Sequence, residues 1–231
     1  PTALSAISRL TALVATDLLL IHILLVARVP WIERLYGHDR TTTAHKKLGK
    51  PILYLVLAHF AASLVQYAIL DGQNLWDTFL FLFFDVADMW TATIALALMI
   101  VVVITSINMA RKKLSYEAWY IVHLLSYGAV MLAIPHQFST GSDIAGKPIQ
   151  QAFWIALYFF VALNLVWYRV LSPVVKSLRH NLRVDKVVRE SSDTVSVYIG
   201  GKRLETIGGK AGQFYLLRIM TASQWFRPHP F

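Results

Sequence analysis

The chain contains no cysteine. That absence removes disulfide staples, thiolate metal sites and cysteine nucleophiles together, and leaves the redox compartment without a marker. Charge is scarce as well: 15% of the 231 residues are charged, against 56% hydrophobic, and mean hydropathy is +0.52. Such a balance is too apolar for an ordinary water-soluble domain and points to a membrane protein. Acidic side chains are the scarcer sign, 13 against 22 Lys and Arg, for a net charge of +9. The basic residues sit beside apolar runs, where loop charges that orient membrane helices belong, so no nucleic acid is expected as a partner. Repeats, low-complexity tracts and a secretory signal pattern are missing too. Pro1 stands where an initiator Met would be, as in a processed chain or a piece of a longer one.

Long apolar runs are plentiful. Five are long enough to cross about 30 Å of hydrocarbon at 1.5 Å per residue, at roughly 4–29, 51–70, 89–108, 119–138 and 153–171. After Pro173 the composition changes. Segments 182–189, 194–199 and 213–219 are short, β-branched and partly alternating, and Ser, Asp and Gly separate them, which reads as strands of a β domain. The expected fold class is therefore mainly α, a polytopic bundle of five transmembrane helices over residues 1–173, followed by an antiparallel β segment over 174–231.

Loop charge orients the bundle. The first-to-second connection carries Arg28, Arg34, Arg40, Lys46, Lys47 and Lys50, and the third-to-fourth carries Arg111, Lys112 and Lys113. The segment 71–88 has no Lys or Arg, and 139–151 has only Lys147. By the positive-inside rule the first two connections are cytoplasmic. The fifth helix then exits into the cytoplasm, ahead of Lys176, Arg179, Arg183 and the β segment.

Four histidines fall into two pairs on this topology. His45 and His59 belong to the second span, His123 and His136 to the fourth, and both spans run from the cytoplasmic face outward. His45 then meets His123 near the inner face, and His59 meets His136 near the outer face. Spacings of 14 and 13 residues correspond to about 21 and 20 Å of helix, room for two stacked haems, each held by one imidazole from each helix. At about 100° per residue, His45 and His59 share a face within about 40°. His123 and His136 differ by about 140°, so a kink or local unwinding at 131–135, with Pro135 as its cause, is expected. Without cysteine, and with few carboxylates nearby, zinc and di-iron carboxylate sites fit less well.

Other intramembrane polar residues are candidates by default. Arg9 suits a haem propionate or snorkelling to the interface. Asp17 and His22 have no partner spacing; they line a path or pack against each other. Asp85 and Asp88 read as interfacial carboxylates or a weak outer cation site. Lys46, Lys47, Arg111, Lys112 and Lys113 suit inner propionates, although topology alone accounts for them. Trp90, Trp119, Trp154 and Trp167 fall near span ends, where aromatic belts belong.

The β segment contains Ala211-Gly212-Gln213-Phe214 and ends Arg227-Pro228-His229-Pro230-Phe231. With the four histidines and the aromatic stretch from Ala118 to His123, these motifs make nearly the whole chain resemble the ferric-reductase-like transmembrane flavocytochromes, the superfamily of NADPH oxidases and metal reductases. The resemblance implies that His45, His59, His123 and His136 ligate two b haems and that Arg9 is the family's helix-borne arginine near them. It further implies that His229, Pro230 and Phe231 lie against FAD in a ferredoxin-reductase-type antiparallel β-barrel. Both ends would then continue, with another helix before Pro1, and with a Ser or Thr, more strands and a nicotinamide domain after Phe231.

On that basis the implied function is NAD(P)H-dependent electron transfer through FAD and the two haems to an external acceptor, O₂ or a chelated ferric or other metal ion. The implied location is the plasma membrane, multi-pass in the lipid bilayer, with the flavin domain cytoplasmic. Two other readings stand beside it. A di-haem cytochrome b subunit exchanging electrons with quinol or a separate flavoprotein would not need the flavin motifs. A proton or metal transporter would leave the histidine pairing as coincidence.

Overall fold

The computed structural model describes residues 3–107, 112–207, 215–219 and 229–230; the side chains of Leu216, His229 and Pro230 lie outside that set. The chain divides into two compact units, Pro1–Val170 and Leu171–Phe231.

In the first unit, helix α1 (Ala3–Val26) ends where Arg28 takes a left-handed φ of 64°, and Pro30 opens the short α2 (Pro30–Tyr36) at its first position. Helix α3 (His38–Asp71) follows from Gly37 and stops at Gly72, whose φ of 64° lets its N–H close back on the Ala68 carbonyl. Helix α4 (Leu75–Asp85) starts at Asn74, whose side chain accepts from the Asp77 N–H at 2.9 Å. Next come α5 (Met89–Ser106), α6 (Tyr116–Ser139) and α7 (Pro148–Val166), the last running into a π turn at Trp167–Leu171. Five stretches are long and apolar enough to cross a bilayer: Ala3–Val26, His38–Asp71, Met89–Ser106, Tyr116–Ser139 and Pro148–His180. Large apolar side chains such as Leu10, Phe84 and Phe159 are exposed, a surface that suits lipid as the solvent.

Packing is pairwise. Helix α1 lies against α3, and α5 against α6, while α7 packs on α1 through a core of Leu20, Ile23, Ile144, Trp154 and Val161. Helix α4 bridges α3 and α5 and buries Thr78 and Leu82.

Three details differ from the pattern expected of the sequence. The second span begins at His38, four turns before Pro51. A proline inside a membrane helix is tolerated where neighbours satisfy the freed carbonyl, so His45 and His59 stand on one continuous helix of 34 residues. The connection 71–88 holds α4, apolar but too short to span. Helix α6 runs unbroken through Pro135, so the expected unwinding is not observed.

In the second unit, helix α8 (Ser172–His180) leads into an antiparallel pair, β1 (Arg183–Arg189) and β2 (Val195–Gly200), with a bulge at Asp185. His180 is buried and its Nδ1–H donates to the Lys202 carbonyl at 2.9 Å, pinning the helix end to the hairpin. A second antiparallel pair joins β3 (Leu216–Leu217) to β4 (His229–Pro230), with Leu216 opposite Pro230 and Leu217 opposite His229. Among the described residues these sheets do not close into a barrel.

Candidate functional site

Helix α1 runs antiparallel to α3, and two positions on it meet the two α3 histidines. At the end nearer the basic connections, His45 donates its Nδ1–H to the carbonyl of His22 at 3.0 Å. Fourteen residues back along α1, the carbonyl of Ser8 accepts from His59 Nδ1–H at 2.9 Å, and the Ser8 hydroxyl lies 3.1 Å from the same nitrogen and 2.6 Å from Ser63 Oγ. A carbonyl only accepts, so both rings carry their proton on Nδ1. Nε2 is thereby left as the free lone pair, the arrangement that a metal-ligating imidazole needs.

The partners come from α6. The rings of His45 and His123 are 6.0 Å apart, centroid to centroid, at 70°. Two imidazoles sharing one ion through bonds of about 2 Å would place their centroids roughly 6 Å apart. His123 Nδ1 lies 3.3 Å from Ser106 Oγ, whose own proton goes to the Val102 carbonyl at 2.7 Å. That hydroxyl oxygen therefore accepts, and His123 also carries its proton on Nδ1. Trp119 donates to the same oxygen and stacks on His123 at 5.0 Å.

At the other end, His59 and His136 line one cavity of about 340 Å³ that also holds Ser8, Arg9, Gln137 and Asp143. That size falls in the range of small-molecule and cofactor sites. His136 Nδ1 is buried, and among the described residues no hydrogen-bond partner reaches it. Although α6 is unbroken, His136 reaches this cavity. The cavity is lined by residues of all six of α1, α3, α4, α5, α6 and α7, and so admits a side chain from a wide arc.

Among the described residues no three His, Cys, Asp or Glu side chains converge on one point; the ligand-like histidines come in pairs. The four rings, three of them held with Nε2 free, have the donor chemistry for iron ligated by two imidazoles.

Arg9 lines the outer cavity, but its guanidinium forks onto Asp143, with Nε to Oδ2 at 2.7 Å and a second contact from Nη2 to Oδ1. Nothing in the sequence marks Asp143, one carboxylate in a loop 134 residues from its partner. His22, without a spacing partner in sequence, stacks on His45 rather than on Asp17. The only signal for it was that 8 and 22 repeat the 14-residue interval of 45 and 59. Trp154 is buried in the α1–α7 core instead of sitting in an aromatic belt. Asp17 is exposed on α1, Asp85 ends α4 and Asp88 precedes α5. Arg111, Gly212, Gln213, Phe214 and Phe231 lie outside the described residues, as do the side chains of His229 and Pro230.

Compared with models of known families, residues 11–134 match the one described as ferric reductase like transmembrane component. No curated protein matches the chain.

Proposed function

The chain belongs to the ferric-reductase-like transmembrane family, and on that premise we propose that it is a transmembrane oxidoreductase in which His45 with His123, and His59 with His136, hold two b haems. The observation that carries this reading is the Nδ1–H donation of both α3 imidazoles to α1 carbonyls, which presents Nε2 to a metal at two levels about 21 Å apart along the helix. Bound there, each haem would supply a one-electron carrier.

The protein's own part is orientation and insulation. The His22 and Ser8 carbonyls set the tautomers of the α3 ligands, and Ser106 sets that of His123. Apolar helix faces keep water from the path between the levels. A flavin held by the second unit would accept two electrons from NAD(P)H and release them one at a time. There the strand following the Ala211–Phe214 motif pairs with the strand containing His229 and Pro230. An acceptor such as O₂ or a chelated metal ion would be met at the outer cavity, which His59, His136, Arg9 and Asp143 line.

A reduced-minus-oxidised absorption spectrum of the purified protein, with pyridine-haemochrome quantitation, tests the assignment. Two haems b per chain are expected. His59→Ala should lose one haem and keep the other, and wild-type protein with no haem would refute the proposal.

A further inference from the structure

The two levels of the site share a frame and differ in one side chain. On α1, positions 8 and 22 each offer a carbonyl to an α3 histidine. At position 8 the side chain is a hydroxyl that joins the same hydrogen bond. At position 22 it is an imidazole lying face to face with His45, with centroids 3.6 Å apart and planes tilted by 32°. No metal fits between rings that close, so His22 and His45 do not share an ion; His45 faces His123 for that. The His22 Nδ1 atom is buried, and among the described residues it has no hydrogen-bond partner. The stack on His45, and no bond at Nδ1, therefore holds this edge of the ring. Gly49, one turn beyond His45 on α3, leaves room for it: a Cβ at 49 would stand 3.7 Å from His22 Cε1, already in contact, and a longer side chain would displace the ring.

We propose that His22 is a positioning residue for the inner haem, clasping His45 between its own carbonyl and its stacked ring. The inference deepens the di-haem reading and rests on it. A carbonyl alone decides which nitrogen carries the proton, but the imidazole can still swing about the N–H···O line. A ring stacked on one face removes that swing. With haem bound, the plane of the His45 imidazole would set its overlap with the iron d orbitals, so the clasp would tune the electronic character of the inner iron. The outer ligand His59 has no stacked partner among the described residues, and its iron is expected to tolerate more variation in ligand plane.

The test uses the haem-loaded full chain. Wild-type haemochrome quantitation comes first, and absence of haem sinks both this inference and the reading beneath it. With two haems present, the ferric low-spin resonances are assigned by the signal lost in His59→Ala. His22→Leu should shift or broaden only the inner resonance, move only the inner midpoint potential and speed loss of that haem by roughly 10–100-fold. His22→Phe, which keeps a flat ring, should restore the resonance and retention to near wild type. Gly49→Leu, which crowds the ring without altering residue 22, should reproduce the His22→Leu spectrum, and guards against a variant that simply misfolds. Wild-type resonances in both His22→Leu and Gly49→Leu would overturn the clasp, as would identical changes in His22→Leu and His22→Phe.

Discussion

Arg9 and Asp143 bind fork to fork beside His59 and His136 and tie the connection between α6 and α7 to α1. The Arg9 hydrogen bond, assisted by Lys147 at 3.9 Å, holds the Asp143 carboxyl below its ordinary value of 3.8. A depressed carboxyl contributes stability above its unfolded pKa, and that contribution is lost as pH falls through the folded one. The tie is therefore complete at neutral pH and fails only in acid below the usual carboxylate range. Asp143→Asn should lower the melting temperature in detergent at neutral pH, with the gap to wild type closing as acid protonates Asp143; a gap independent of pH would count against the tie. The effect should be small, since Arg9 is 46% exposed and water screens the pair. Residue identity at the four principal histidines was readable in advance, because helical spacing and span direction are local properties. Asp143 was not, since nothing near it in the chain marks a partner on the first helix.

Helices show a similar division. The four spans at α1, α5, α6 and α7 were recognisable from apolar length, whereas α3 extends four turns before Pro51 into a basic stretch that reads as a loop by composition. Those turns, His38 to Lys50, are helical because Gly37 frees the chain to turn at φ 78° and Thr41, buried at 2% exposure, anchors the first turn. Helix α4 is not marked as a span for a different reason: a mostly apolar helix of 11 residues is too short to cross a bilayer, and it instead packs across α3 and α5. Its start depends on Asn74, which accepts from the Asp77 N–H and donates Nδ2–H to Asp77 Oδ2 at 2.6 Å. Asn74→Ala should cost about 1 kcal/mol, read as a lower unfolding midpoint, and Asn74→Asp should recover part of it. An Asn74→Ala midpoint equal to wild type would show that α4 is held by packing alone.

For the whole molecule, the absence of cysteine makes topology directly measurable. Single substitutions Tyr36→Cys and Lys113→Cys should react with a membrane-impermeant maleimide from one side of sealed vesicles, and Gln73→Cys and Ser142→Cys from the other. Labelling of positions 36 and 73 from the same face would break the alternation and with it the pairing of histidine levels. By the same alternation the fifth span ends on the face of position 36, so a label at Asp193→Cys in the β1–β2 turn should share that face.

What the sequence by itself determined is the number of apolar spans, the β character of the C-terminal segment and which histidines are spaced to fall at two levels. Hydrophobic length, alternation and helical rise are set by neighbours in the chain, so one sequence suffices for them. Tertiary structure alone decided that α1 supplies the carbonyls fixing His45 and His59, that His22 stacks on one of them, and that Arg9 is held by Asp143. Those contacts depend on the antiparallel register of packed helices, and that register is chosen by the fit of side-chain surfaces, which no local pattern encodes.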